Sequence, residues 1–117
     1  MPPFEAFKDA ESYYATLGHE AVHWTRHASR LDRSFDQKRF GDEGYAREEF
    51  VAEIGSAFLA ADLGLYLEPR EDHAAYLASW LTILKQDKRT VFVAASFAQK
   101  AVDLLQSLQP KEEQRAA

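Results

Sequence analysis

Residues 9–29 read DAESYYATLGHEAVHWTRHAS, and the fold turns on that stretch. Its apolar positions Ala10, Tyr14, Leu17, Ala21, Trp24 and Ala28 recur at alternating steps of four and three. That spacing predicts one amphipathic helix from Asp9 to about Ser29, its stripe facing a core. Asp9 is placed to cap it, with Ser12 where a capping box would carry Glu. At about 100° per residue, His19 and His23 fall almost opposite the stripe, one turn apart on one face.

Outward from this helix, Arg30 to Gly44 is polar and holds Asp32, Ser34, Asp36, Gly41 and Asp42, so it reads as a loop. A second helix is expected from Tyr45 to about Leu63, with Phe50, Ile54, Ala57, Phe58 and Ala61 on one face and Gly64 closing it. A third starts near Glu71-Asp72, where acidic residues suit a helix N-terminus, and carries Leu77, Trp80, Leu81 and Leu84 inward. Gln86-Asp87-Lys88 interrupts the pattern. A fourth helix repeats Val91, Ala95, Ala98, Val102 and Leu105 until Pro110, and its Val91-Phe92-Val93 is the one β-branched cluster. The expected fold class is therefore all-α, a single compact domain over residues 1–117 with four packed helices. An N-terminal arm (residues 1–8) and a charged tail (residues 110–117) flank it.

Composition narrows the chemistry. The chain has 117 residues with 14 Lys and Arg against 19 Asp and Glu, a net charge of −5, which argues against a polyanion-binding surface. It has no Cys, so disulfides, thiolate zinc sites and Cys nucleophiles are excluded. No apolar run approaches the ~20 residues of a membrane span, and the N-terminus lacks a signal-peptide pattern. A cytoplasmic domain with no membrane partner is expected.

His19-Glu20-Ala21-Val22-His23 is an H-E-x-x-H motif. With four His and eleven Glu in 117 residues, the pattern arises by chance in roughly one per cent of such chains. Two imidazoles at i and i+4 can reach one ion, and Zn2+ accepts neutral imidazole nitrogen at ~2.0–2.1 Å. Glu20, next to the first ligand, is placed to act on the zinc-bound water as general base. A solvent-exposed His pair is the bland alternative.

Two His and a water leave one position for a protein ligand. His27 lies eight residues beyond His19, about 12 Å along a straight helix. Trp24-Thr25-Arg26 holds no Gly to break the helix, so His27 reads as a partly exposed residue near its end. Glu53 is the one charge between Phe50 and Ala61, and a carboxylate in so apolar a run needs a cation. Glu53 is thus the expected third ligand. Glu49, one turn earlier, is the alternative ligand or a partner for an imidazole N–H. A core ion pair between Glu53 and an Arg is the remaining reading. Gly55, costly in a helix interior, predicts close helix packing.

His73, one turn before Leu77, is read as a hydrogen-bonded core residue or as a donor to a developing oxyanion, with Tyr76 competing. Tyr13 and Tyr14 read as core, and Glu11, Asp62 and Asp103 as solvated faces.

Together these stretches resemble the zincin-like metallopeptidase domain of ArdC-type antirestriction proteins. The likeness runs from Pro2-Pro3-Phe4 through Ser12-Tyr13-Tyr14, the His19–Thr25 motif, Ser29-Arg30-Leu31-Asp32-Arg33 and Phe40-Gly41. It continues in Tyr45-Ala46-Arg47-Glu48-Glu49, Val51-Ala52-Glu53-Ile54-Gly55, His73-Ala74-Ala75-Tyr76, Ser79-Trp80-Leu81 and the alanine-rich last helix, to about Leu108. Gly18 and Arg26 depart from the pattern, where a bulkier apolar and a smaller residue are usual. The resemblance implies one Zn2+ held by His19, His23 and Glu53, with Glu20 catalytic. It also implies a plasmid or phage origin and an N-terminal single-stranded-DNA-binding domain that this chain lacks.

Two functions follow as expectations. One is a zinc metallopeptidase acting on a peptide or protein substrate. The other is a non-hydrolytic zinc-stabilised interaction module, its site closed by a fourth protein ligand such as Glu49 or His73. A metal-free helical bundle is the third possibility. A His₂Glu set also admits divalent ions other than zinc.

Overall fold

A computed structural model describes residues 1–35, 43–65, 81–82 and 85–110. Among them there is no strand. Three α-helices stand among the described residues: α1 (Ala10–Trp24), α2 (Glu43–Leu63) and α3 (Thr90–Ser107), preceded by a 3-10 turn at Phe4–Ala6. The expected all-α class agrees with this. Most of the expected third helix, with His73 and Tyr76, lies outside the described residues, although 81–82 and 85–86 are helical. No helix among the described residues is long and apolar enough to cross a membrane.

The Asp9 carboxylate caps α1 by accepting from the Ser12 backbone N–H at 2.7 Å, satisfying one of the unpaired donors of a helix start. Hydrogen bonding from Ser12, by its side chain as well as its backbone N–H, holds the Asp9 carboxyl below its usual range. The helix stops at Trp24, five residues short of the expected end near Ser29. Side chains take over its last carbonyls. Thr25 Oγ1 donates to Val22 O at 2.6 Å and Arg30 Nε to Trp24 O at 2.6 Å. The backbone then folds back, with Leu31 N–H on Thr25 O, Arg33 N–H on Arg26 O and Asp32 in the left-handed region at φ 50°.

The largest correction concerns the face that α1 buries. The expected inward stripe is substantially exposed, with Tyr14 at 49%, Leu17 at 41% and Trp24 at 47%. His19 and Val22 are the buried residues of α1. Leu17 and Ala21 instead help line an apolar groove of about 350 Å³ with Leu59, Leu63 and Leu105. Trp24 stacks under the Arg30 guanidinium, 3.9 Å from its centroid. Tyr13 and Tyr14, also expected in the core, pack edge-to-face with Phe4 and Phe7 of the N-terminal arm.

Close approach explains the reversal. A Cβ on Gly55 would lie 2.7 Å from Val22 Cγ2, and one on Gly18 would lie 3.4 Å from Ser56 Oγ. Gly55 thus lets α1 lie against α2 on its His19–Val22 side, whereas a Cβ on Gly18 would make an ordinary contact, and Ser56 Oγ donates to Ala15 O at 3.0 Å. The tight packing expected at Gly55 is present.

α2 packs against both other helices, so its apolar residues are not confined to one face. Val51, Ala52, Gly55, Ser56 and Ala60 are buried, whereas Ala57 and Ala61 of the expected stripe are exposed. Gly64 ends the helix as expected, at φ +71°, with the Leu65 N–H on Ala60 O at 2.8 Å. On α3, Ala98 and Val102 face inward as expected, but the row begins at Thr90 and Ala94. Val91, Phe92 and Val93 are exposed and helical. The core joins Val22, Val51, Ala52, Ala94, Ala98 and Ala101, small residues that keep three helices close. Phe35 and Phe97 meet edge-to-face beside it at 5.5 Å.

Candidate metal centre

Because α1 turns His19 and His23 toward α2, both rings meet a row of carboxylates. Their centroids lie 4.7 Å apart at 77°, and the two Nε2 atoms face each other at 3.1 Å. Glu49 completes a triangle: Oε2 is 3.0 Å from His19 Nε2 and Oε1 is 2.9 Å from His23 Nε2. His19, His23 and Glu49 are the described residues that group as a metal-holding set.

The outer nitrogens are also matched to carboxylates. His23 Nδ1 is 2.6 Å from Glu48 Oε2. Glu53 Oε1 is 2.5 Å from His19 Nδ1, but it sits off the line along which a ring N–H donates. That buried nitrogen therefore makes no well-aligned hydrogen bond. Glu48 is almost fully buried and is forked by Arg33, with Nε on Oε1 at 2.6 Å and Nη2 on Oε2 at 3.1 Å.

The electrostatics follow from this packing. Burial pulls the His19 pKa down, but the Glu49 and Glu53 carboxylates outweigh it and raise it to about 9. His23 is raised in the same way by Glu48 and Glu49 against its own burial. Burial raises the Glu49 pKa, yet the two imidazoles bring it down to about 2. Glu48 is likewise lowered by His23 and Arg33 in spite of burial.

These residues fit a divalent cation. With both rings neutral, three carboxylates and one guanidinium leave two negative charges around a pair of inward-facing nitrogens. The edges of 2.9–3.1 Å approach the ~3.3 Å ligand–ligand separation of a tetrahedral site with ~2.0–2.1 Å bonds. Imidazole nitrogen and carboxylate oxygen suit zinc and several other divalent metals. The orphaned His19 Nδ1 marks a buried polar group that only part of a network satisfies.

Each expected site residue among the described ones has a definite placement. His19 and His23 converge. Glu53 reaches the same cluster at the far nitrogen of His19, whereas Glu49 occupies the edge shared by both rings. Glu20 is exposed on α1. α1 does end before His27, but that ring turns away: it is exposed and its Nδ1 pairs with Ser29. His73 lies outside the described residues. Arg33 and Glu48 were missed as site residues. A carboxylate on the buried side of α2 calls for a cation, but the apolar run points to Glu53, not Glu48, as the Arg-paired core carboxylate. Arg33 sits in a loop with no periodicity to point it inward.

The chain belongs to the zincin-like metallopeptidase family, whose model matches residues 1–97. Its structure is similar to that of the antirestriction protein ArdC from plasmid R388 in a Mn(II)-bound form. That similarity has 53% identity and a TM-score of 0.81, over 92% of this chain and 39% of that one. The uncharacterized protein y4eC of Sinorhizobium fredii is 48% identical over 93% of this chain and 35% of its own length. A DNA primase TraC of Escherichia coli is 44% identical over 96% of this chain and 10% of its own. The chain thus spans between about a tenth and two-fifths of the relatives it matches, and the ArdC-type resemblance read from its residues holds.

Proposed function

We propose that this domain is a metal-dependent peptide hydrolase in which His19, His23 and Glu49 hold one divalent ion and Glu20 is the catalytic carboxylate. The meeting of both Nε2 atoms with the Glu49 carboxylate at 2.9–3.1 Å carries the reading. Zinc is the ion we assign by chemistry, and Mn(II), bound by the ArdC relative, is the first competitor. Glu53 is retained as the competing third ligand.

When bound, such an ion polarises a scissile carbonyl and lowers the pKa of nearby water toward neutrality. Glu20 takes the proton from the attacking water and returns it to the leaving amine. Glu48 holds the outer nitrogen of His23, Glu53 lies beside that of His19 without an aligned hydrogen bond, and His73 is the candidate donor to the developing oxyanion. We also propose a place in a longer DNA-handling protein, in keeping with the DNA primase and antirestriction relatives, with single-stranded-DNA binding in another domain as the family resemblance implies.

Elemental analysis and cleavage of protein substrates test the function together. Glu20→Gln is expected to keep the metal and lose about 10²–10⁴-fold in turnover. Equal activity in both proteins would remove Glu20 from the chemistry. A stoichiometric metal with no hydrolysis by the wild type on any substrate would favour the non-hydrolytic interaction module.

A further inference from the structure

The buried Arg33 lies outside the metal-holding set, and its contacts account for how His23 is oriented. Its guanidinium makes four hydrogen bonds at once. Two fork Glu48. The other two go from Nη1 to Thr25 Oγ1 at 3.0 Å and from Nη2 to Val22 O at 2.9 Å. Arg33 is 6% exposed, Thr25 0% and Glu48 3%, so water does not compete for these donors. One side chain therefore ties the loop after α1, the C-terminal carbonyls of α1 and the first turns of α2 to a single carboxylate.

We propose that Arg33 is a positioning residue of the metal centre, acting through Glu48 to hold His23 with Nδ1–H donating outward and Nε2 facing His19 and Glu49. A free carboxylate in this position could rotate about its last torsion and offer either oxygen. The bidentate fork removes that freedom, because Arg33 claims Oε1 with Nε and Oε2 with Nη2, leaving Oε2 in place for His23 Nδ1. An Nδ1–H donor leaves the lone pair on Nε2, the atom that faces the other ring. Thr25 and Val22 O hold the guanidinium in turn, so the α1 terminus is part of the device. Lys could supply the charge but not the fork.

The inference rests on the metal-centre reading, and the tests separate the two. Zinc titration of the 117-residue chain comes first: a wild type that binds no zinc at one-to-one stoichiometry overturns both. In the zinc-loaded wild type, long-range 1H–15N spectra should show His23 with Nδ1 protonated and Nε2 bound, its Nδ1–H slow to exchange. Arg33→Lys is expected to weaken zinc binding about 10–100-fold and to speed that exchange. A folded Arg33→Lys protein within twofold of wild type in affinity, with the same His23 signature, overturns the role of Arg33 alone. Should that variant not fold, Arg33→Met/Glu48→Met replaces the buried pair by apolar residues of similar length, an exchange that folded proteins tolerate. Loss of zinc affinity and of the His23 signature in the double variant supports the proposal. Retention of both overturns it.

Discussion

Glu49 and Glu53, one helical turn apart on α2, address the two different nitrogens of a single ring: Glu49 Oε2 lies 3.0 Å from His19 Nε2 and Glu53 Oε1 lies 2.5 Å from His19 Nδ1. Glu49 also reaches His23, with Oε1 2.9 Å from Nε2. The two carboxylates should therefore have unequal effects on metal binding. Glu53→Gln is expected to weaken it about 10–100-fold, the usual cost of losing a group that orients a ligand, and Glu49→Gln by more than that. Calorimetric titration ranks the two, and the reverse order would make Glu53 the third ligand.

Packing between Gly55 and Val22 should be equally specific. The Cβ of Gly55→Ala would sit 2.7 Å from Val22 Cγ2, against a fully buried β-branched side chain. Overpacking costs about 1–3 kcal/mol, and Ala recovers about 1 kcal/mol of helix propensity. A net loss of about 1 kcal/mol is expected from urea unfolding. In a Val22→Ala background the clash is gone, so Gly55→Ala should there be neutral or stabilising, a coupling that a double-mutant cycle reads directly.

The exposed stripe of α1 leads to an opposite pair of outcomes. Leu17 is 41% exposed and Val22 is 0%, although periodicity assigns the core to Leu17. Val22→Ala should lose about 2–3 kcal/mol, from two buried methyl groups and the space they leave. Leu17→Gln should stay within about 1 kcal/mol. A larger loss for Leu17 in thermal or urea unfolding would show that its face is covered in solution.

Proton competition sets the pH behaviour of the centre. His19 in the metal-free chain titrates at about 9, above its ordinary 6.5, because the pull of Glu49 and Glu53 exceeds the opposing effect of burial. A raised pKa stabilises the fold fully below pH 6.5, and that contribution is lost as pH climbs through about 9. The metal needs the neutral ring, so its affinity runs the other way, rising with pH and levelling near 9. Melting with and without zinc from pH 6 to 9.5 should show the metal-free curve falling while the zinc-induced rise in Tm grows. Glu49, lowered to about 2 from its ordinary 4.5 by the two imidazoles, contributes fully above pH 4.5 and loses that contribution as pH falls toward 2.

Much of this was legible along the chain. The i, i+4 spacing of His19 and His23 put both rings on one face of one helix, because helical geometry is local and rises only about 1.5 Å per residue. Asp9 marked the start of α1, Gly64 the end of α2 and Gly55 a close contact, each through a backbone preference that needs no knowledge of the rest of the molecule. The helix C-terminus at Trp24 was not legible, because the groups that end it, Arg30 and Arg33, arrive from a loop.

What tertiary structure alone decided is the rotation of α1 and the pairing across it. Periodicity ranks the faces of an isolated helix by apolarity, so it favoured Tyr14, Leu17 and Trp24. The buried face was instead chosen by where Gly55 lets the two helices approach and where carboxylates could compensate buried imidazoles. The choice between Glu49 and Glu53 depends on the axial offset of α2 against α1. Sliding one helix by a single turn, about 5.4 Å, would exchange one carboxylate for the other. That offset is set by contacts such as Gly55 on Val22 and Ser56 on Ala15. The sequence by itself thus determined the helix and the pairing of His19 and His23 on one face, and the packing of α2 decided which carboxylate lies between their two Nε2 atoms.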